Sequence, residues 1–379
     1  MPIIIDDLLI VLNVTYTQTL IIWTSYFAAI VGSSIVGSIL SNRIRRLSFL
    51  YLWIILGIVT SLLPALFNSS TVTHVLILSI FLGVSFGLGM PSCLAYFADW
   101  TIVENRGRIG GITLLITNLS APLLAIPFML FDLRVNSIIF AMWRGTGLII
   151  FFLKPEENFS SKTKKNVSFT SIFHDKSFLL YFVAWFMFCL VDRFEMPILS
   201  ASSGDFQYLI PVMGPVIGGL SALVGGLLSD WVGRKRVVLY GFVTLGIAYA
   251  IIGIAPTSFS WYFYLVIGSI STGMLWVAFL LILWGDLSQS GTREKYYVIG
   301  TTPFFLTNIV QLFSAEDVTL IPVTSAFSLA AFFLFLAVLP LLYAPETLPE
   351  KKIVLRRLRK YVEAARKVKE KHAEKATIG

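Results

Sequence analysis

Long apolar runs separated by short polar segments set the hydropathy pattern of this 379-residue chain. Each run has about 20 residues, the length at which an α-helix crosses the hydrocarbon core of a bilayer. The runs lack the two-residue alternation of a lipid-facing β-strand, so helices are predicted rather than a barrel. Eleven spans are predicted, at residues 18–41, 48–67, 74–98, 110–131, 135–153, 177–199, 207–229, 236–255, 259–284, 297–314 and 320–343.

The polar segments contain related motifs that divide the chain into two similar halves. The segment GGLLSDWVGRKR at 225–236 has a degraded copy, GSILSNRIRR, at 37–46. Further matches keep nearly the same spacing and pair Asp99 with Asp286, Arg106 with Arg293, and Asn118 with Asn308. Paired membrane repeats of this kind are the architecture of secondary transporters.

We therefore expect an all-α membrane protein of two helix bundles, related by a pseudo-twofold axis along the membrane normal. Spans 18–41 and 297–314 are expected to meet across a central cavity, as are 110–131 and 207–229. The repeat sets Met1 opposite Cys189, so eleven full helices are expected, together with only the end of a truncated first helix, in MPIIIDD. The predicted units are an incomplete N-terminal bundle at 1–153, a cytoplasmic linker at 154–176, a C-terminal bundle at 177–343 and a basic cytoplasmic tail at 344–379.

Composition agrees with a membrane protein, since 56% of the residues are hydrophobic and 13% are charged. The net charge of +8 does not indicate nucleic-acid binding, because residues 351–379 alone carry eleven Lys or Arg against three Glu. Apolar residues recur in this tail at helical spacing. Either an amphipathic helix on an anionic lipid leaflet or a solvated basic helix fits that pattern. Apart from Arg134, the Lys and Arg of the other loops all fall in one alternating set of loops, which predicts a cell-membrane protein with a cytoplasmic C-terminus.

Short motifs between the spans carry a family resemblance. Gly226, Asp230, Gly233, Arg234 and Lys235 match the pattern Gly-x-x-x-Asp-x-x-Gly-Arg-Lys, and with it the chain resembles the major facilitator superfamily over its whole length. An acidic residue, six others and an arginine occur as Asp99 to Arg106 and as Asp286 to Arg293, and PETLPE follows the last span. These features are similar to the sugar-porter and the organic-ion or metabolite:proton symporter branches. The sugar-porter pattern Gln-Gln-x-Ser-Gly is absent from 177–199, which disfavours a hexose substrate.

The resemblance implies that the motif charges act as a gate. Asp230 is predicted to close a helix at a place where Arg234 and a neighbouring helix N-terminus stabilise its carboxylate. Contacts that form only when the cytoplasmic side is shut bias the equilibrium between inward-open and outward-open states. In the first-half copy Asn42 replaces the Asp. The alternative is that these charges only set topology and cap helices.

Charges inside the predicted spans are candidates for proton coupling and substrate binding, since each is costly in lipid and must be paired or hydrated. Asp192, Arg193 and Glu195 lie in one span, and a protonatable Asp192 or Glu195 can couple proton entry to solute movement. The alternative is that Arg193 neutralises one carboxylate while the other reaches interfacial water. Arg144 can bind a substrate carboxylate or pair with an acidic residue; the family places its helix at the periphery, which favours a structural ion pair.

Polar and aromatic residues are predicted to complete a cavity, with helix packing as the alternative role for each. They are Asn118, Asn308, Gln311, Trp185, Tyr26 and Trp276.

The predicted function is secondary active transport of a small polar or organic-ion solute by alternating access, with a proton as the coupling ion. No His or Cys cluster of metal-binding spacing and no ATP-binding phosphate loop occurs in the sequence. We therefore expect neither an enzyme nor a cofactor, and a monomer whose partners are the solute and membrane lipid. The alternative is a non-transporting sensor or an inactive relative of a transporter.

Overall fold

The computed structural model describes residues 2–41, 43–66, 71–152, 168–204 and 206–348, and within these ranges all regular structure is helical. The first half contains α1 (Pro2–Val11), α2 (Tyr16–Leu40), α3 (Arg46–Leu66), α4 (Val72–Gly87), α5 (Met90–Trp100), a 3₁₀ turn at Val103–Asn105, α6 (Arg106–Leu130) and α7 (Leu133–Phe152). The second half contains α8 (Phe169–Phe173), α9 (Lys176–Ser202), α10 (Phe206–Val232), α11 (Arg234–Ile254), α12 (Ser258–Phe263), α13 (Ser269–Trp276), α14 (Leu283–Leu287), α15 (Arg293–Thr319) and α16 (Val323–Tyr343). Two π-helical segments, Tyr264–Gly268 and Val277–Ile282, join α12, α13 and α14 into one span.

Helices occupy all eleven predicted spans. Within the described residues, nine helical segments are long and apolar enough to cross a bilayer, with α4 and α5 together forming one and α12 to α14 another. Helices α7 and α15 occupy the predicted spans 135–153 and 297–314 but are not among the nine. Both carry polar residues within the helix, such as Arg144 in α7 and Asn308 in α15.

Packing inside the two halves follows the order of the repeat. In the first half α2 packs on α4 and α3 packs on α7; in the second half the corresponding helices pair as α10 on α13 and α11 on α16. Helix α9 packs against both α15 and α16. The short α1 buries Ile4, Ile5 and Leu8 in the core of the first half and contacts α4. The two-bundle fold predicted from the sequence is confirmed.

The halves meet through the helix pairs that the repeat predicts, α2 with α15 and α6 with α10. Glycines allow α6 and α10 to approach closely: a Cβ added to Gly226 lies 2.1 Å from the carbonyl oxygen of Gly107. On another face of α10, a Cβ on Gly225 lies 2.9 Å from Met274 in α13. The small residues of α10 therefore serve close helix packing.

Three predictions fall on parts of the chain outside the described residues. These are the position of Asn42, most of the linker predicted at 154–176, and the helix predicted in the basic tail after residue 348. The end of the linker is described, and there α8 is followed by Asp175, whose side chain caps the N-terminus of α9.

Candidate functional site

A buried charge cluster holds the two halves together at one end of the molecule. Asp286, in α14 of the second half, accepts hydrogen bonds from Arg106 of the first half and from Nε of Arg234 at 3.2 Å. Arg106 and Arg234 are among the largest fully buried side chains of the described structure. Arg234 also donates to the carbonyl oxygen of Val103 at 2.6 Å, which is a second contact between the halves. We call this end of the molecule the charged end.

Asp230, the one acidic residue of α10, caps a helix of the other half. Its carboxylate accepts from the backbone N–H groups of Gly107 at 3.0 Å and Arg108 at 2.8 Å, in the first turn of α6. Arg234 donates to the same carboxylate at 2.5 Å. The predicted contacts of Asp230 with Arg234 and with a neighbouring helix N-terminus are confirmed, and the helix is α6.

A second cluster repeats this arrangement with the halves exchanged. Asp99 of the first half accepts from Arg293 of the second half and from Arg46, and Arg46 also donates to Glu294. Since Asp99 and Asp286 are repeat-related, and so are Arg106 and Arg293, each acidic residue pairs with the arginine of the opposite half. The two clusters therefore tie α5 and α6 to the start of α15 and the end of α14.

Glu346, in the described part of the PETLPE segment, fastens the chain after α16 to the motif loop. Its carboxylate accepts from the backbone N–H groups of Arg234 at 2.8 Å and Lys235 at 3.2 Å, so it caps the N-terminus of α11. The Lys235 ammonium donates to the carbonyl oxygen of Leu342 at 2.7 Å. Gly233 has φ +112°, and a Cβ there lies 2.3 Å from Glu346. The backbone conformation favours glycine at this position, and a side chain there would also displace the carboxylate of Glu346.

A cavity of about 1090 Å³ lies between the first half and α15. Its lining comes from α2, α3, α5, α7 and α15, with Leu124 of α6 and two residues at the end of α4. Arg144 is the one charged side chain among the described residues that line it. The polar groups of the α15 wall are Asn308 and Gln311. The aromatic residues of the lining are Tyr16, Trp23, Tyr26, Phe27, Trp53, Phe86, Tyr96, Phe140, Trp143, Phe304 and Phe305.

Arg144 has neutral partners, contrary to the structural ion pair favoured by the sequence. Its Nη1 donates to the carbonyl oxygen of Gly57 at 3.0 Å, to Oγ of Ser85 at 3.0 Å and to Oγ1 of Thr60 at 3.3 Å. In the described part of the chain no carboxylate forms an ion pair with it. The reason is that α7 turns this side chain toward the cavity and the backbone of α3.

The charges of α9 lie behind the α15 wall rather than in the cavity lining. Arg193 pairs with Asp192 at 2.6 Å, lies 5.1 Å from the centre of the Phe304 ring, and donates to Oδ1 of Asn308 at 3.4 Å. Asn308 is therefore the link between this pair and the cavity. Glu195 is buried, and its Oε1 accepts from the hydroxyl of Tyr264 in the first π-helical segment, while Oε2 has no described partner.

Three predicted cavity residues lie elsewhere in the structure. Trp185 is fully buried in the core of the second half and stacks on Phe279 at 4.8 Å. Trp276 packs edge-on against Phe304 and is not among the described residues that line the cavity. Asn118 lies at the crossing of α6 and α10, where its amide donates to Leu114 O at 2.9 Å. Of the predicted set, Tyr26, Asn308, Gln311 and Arg144 line the cavity.

Several residues of the charged end and the cavity were not predicted. Arg46 and Glu294 join the second cluster; Arg46 is the last residue of the degraded copy at 37–46 and Glu294 follows Arg293, which was the available signal. Glu346 was visible only as part of PETLPE. Trp53 and Trp143, which line the same cavity as Arg144, are tryptophans among many apolar residues, and nothing in their spacing singles them out.

Comparison with known proteins gives a family and a fold. A family model described as Major Facilitator Superfamily matches residues 1–218. The human organic anion transporter MFSD10 (TETRAN) is similar in structure, with a TM-score of 0.66 and 16% identity, over 85% of this chain and 83% of that one. The proton:xylose symporter XylE bound to 6-bromo-6-deoxy-D-glucose has a TM-score of 0.71 and 16% identity, over 90% and 91% of the two chains. No curated protein sequence matches. At such identity the structural likeness shows the fold alone.

Proposed function

The chain belongs to the Major Facilitator Superfamily, and on that premise we propose that it is a proton-coupled secondary active transporter of a small organic solute. It is a multi-pass membrane protein and a transporter, not an enzyme. The observation that supports alternating access most directly is the reciprocal pairing of Arg106 with Asp286 and of Arg293 with Asp99. Both pairs cross between the halves at the same end.

Ion pairs that join two rigid bundles at one end are suited to act as a gate. The bundles can separate there only if these pairs break together with the contacts of Asp230 to α6. A ligand that favours the separated state shifts the population by its difference in affinity for the two states. The described structure is the state with the charged end closed. We propose that this end lies in the cytoplasm, because the arginine-rich loops lie there. We also propose that the protein is a monomer in the cell membrane.

Proton coupling is proposed for the carboxylates of α9. Asp192 is about one-sixth exposed and its partner Arg193 also touches Asn308 of the cavity wall. A change in the charge of Asp192 therefore alters the hydrogen bonding of a residue that solute contacts. Glu195 is the alternative coupling residue. Its partner Tyr264 lies in a π-helical segment, a geometry that is frequent at functional sites.

The transport experiment uses purified protein in vesicles and two labelled solutes, xylose and 4-aminohippurate, an aromatic monocarboxylate. Their choice follows the sugar symporter and the organic anion transporter that share the fold. We expect an inward proton gradient to drive accumulation of one solute above the level reached at equal pH. Asp192→Asn or Glu195→Gln should abolish that accumulation while exchange at equal pH persists. If both variants accumulate solute like the parent, the carboxylates of α9 are structural.

A further inference from the structure

We propose that Arg144 and the aromatic wall around it form a binding site for the carboxylate of an aromatic monoanion, the class of solute that this protein carries. The binding site stands on its own geometry. The step from binding to transport rests on the proposed function.

The guanidinium of Arg144 is held in place while its remaining donors are left for a ligand. All three of its hydrogen bonds, to Gly57, Thr60 and Ser85, leave from Nη1. Nε and Nη2 donate to none of the described residues. Neither atom is sealed inside the protein, so both can be reached by a ligand. These two nitrogens stand side by side, which is the geometry that binds both oxygens of a carboxylate.

The site is built so that this side chain does not swing freely. A Cβ on Gly57 lies 3.0 Å from Nη1 and 3.2 Å from Cδ of Arg144, so the arginine packs directly on the α3 backbone. A charge that is fixed in position before the ligand arrives loses little conformational entropy on binding. A cation held by neutral acceptors in an apolar protein also leaves a net positive charge, which an anion compensates.

The rest of the cavity fits an aromatic body. Trp23, Tyr26, Trp53 and Trp143 lie in the same lining as Arg144, and Asn308 offers neutral hydrogen bonding from the opposite wall. Since Arg144 is positive and no acidic residue is among the described lining residues, the charge of the cavity favours an anion over an organic cation. The volume of about 1090 Å³ is ample for a single-ring solute, because small-molecule sites span roughly 300 to 1000 Å³.

The test is equilibrium binding of labelled 4-aminohippurate to the purified full chain in detergent micelles, compared with its neutral amide. We expect saturable binding of the anion that is at least about tenfold tighter than binding of the amide, since a charge-assisted paired contact is lost in the amide. This comparison needs no variant, so it holds even if a substitution at Arg144 prevents folding. Equal affinity for the two compounds, or no saturable binding of 4-aminohippurate, overturns the proposal.

Variants then assign the binding to Arg144. Arg144→Gln should weaken 4-aminohippurate binding about tenfold. Arg144→Lys should give an intermediate loss, because lysine keeps the charge but lacks the paired N–H donors of the guanidinium. Gly57→Val keeps the arginine but displaces it, so it should weaken binding as well. Arg134→Gln, on the same helix and outside the lining, is the matched control and should bind like the parent. Unchanged binding in folded Arg144→Gln assigns the anion to another place and overturns the proposal.

Transport distinguishes this inference from the function on which it rests. If 4-aminohippurate binds through Arg144 but neither it nor xylose crosses the vesicle membrane, the site stands and the transport proposal fails. If xylose accumulates with the proton gradient and 4-aminohippurate does not bind, transport stands and the anion site fails.

Discussion

Arg106, the first residue of α6, donates to Asp286 in α14, and both side chains are almost completely excluded from solvent. The mirrored pair, Arg293 with Asp99, has its arginine 14% exposed. The same sequence pattern therefore occupies two environments, one dry and one partly hydrated. Breaking a buried pair by removing one partner leaves an uncompensated charge, whereas a partly exposed charge keeps some hydration.

The first prediction is that Asp286→Asn destabilises the protein more than Asp99→Asn does. Loss of the Asp286 charge leaves Arg106 and Arg234 buried near each other, and removal of one partner of a buried pair costs about 3 to 5 kcal/mol. After loss of Asp99, Arg46 keeps its partner Glu294, and the partly exposed Arg293 can turn toward water. Thermal unfolding of the two purified variants, followed by tryptophan fluorescence, checks this. Equal midpoints would show that the two clusters are equally buried in the folded protein.

The second prediction concerns gating by Asp230. Asp230→Asn keeps one acceptor oxygen, so it can serve only one of the backbone N–H groups of Gly107 and Arg108, and it removes the charge that binds Arg234. The closed charged end should lose stability relative to the open state, with the fold retained. The reporter is Cys93, which lines the cavity, in a Cys189→Ser background that removes the other of the two cysteines.

Maleimide labelling of Cys93 from the charged end should be faster in Asp230→Asn than in the parent, and solute uptake should fall. Ser200→Ala, at an exposed position near the opposite end of α9, is the control substitution. It should leave the labelling rate of Cys93 and the rate of solute uptake unchanged. If Asp230→Asn labels and transports like the parent, the aspartate caps α6 without controlling the gate.

The sequence predicted contacts of the charged end better than those of the cavity, for a physical reason. Asp230 and Arg234 are four residues apart at a helix boundary, where a charge must meet a helix terminus or a counter-ion. Arg144 sits in a helix that is apolar on most sides, and such a helix has no hydrophobic face from which its rotation follows. Whether Arg144 faces an acid, a backbone carbonyl or a cavity is decided by tertiary packing.

Residues of one helix face can also differ in depth, which periodicity does not reveal. Trp185 and Asp192 are two turns apart on α9, yet Trp185 is fully buried and Asp192 is partly exposed. Tyr264 is displaced from any regular pattern because it begins a π-helical segment, where the extra residue changes the helical register. Its contact with Glu195 could not be read from a 3.6-residue period.

The third prediction tests the close contact of α6 with α10. Gly226→Ala places a methyl group 2.1 Å from the carbonyl oxygen of Gly107, so the helices must separate, and overpacking of this kind costs about 1 to 3 kcal/mol. Gly214→Ala in the same helix is the matched control, because its nearest neighbour is Oγ of Ser269 at 3.7 Å. A lower unfolding temperature is expected for Gly226→Ala alone. If the two variants unfold at the same temperature, α6 and α10 are farther apart in the protein than the structure places them.

The last prediction is that Glu195 and Tyr264 act as a unit. Tyr264 is the described donor to Glu195, and Glu195 is 5% exposed, so Tyr264→Phe leaves a buried carboxyl without a partner. That should cost about 1 to 3 kcal/mol, whereas Tyr264→Phe in a Glu195→Leu background should cost much less. A double-mutant cycle on thermal or denaturant unfolding should therefore give a coupling of about 0.5 to 3 kcal/mol. Additive effects of the two substitutions would show that the hydrogen bond contributes nothing to stability, and Glu195 would then lose its proposed link to the π-helical segment.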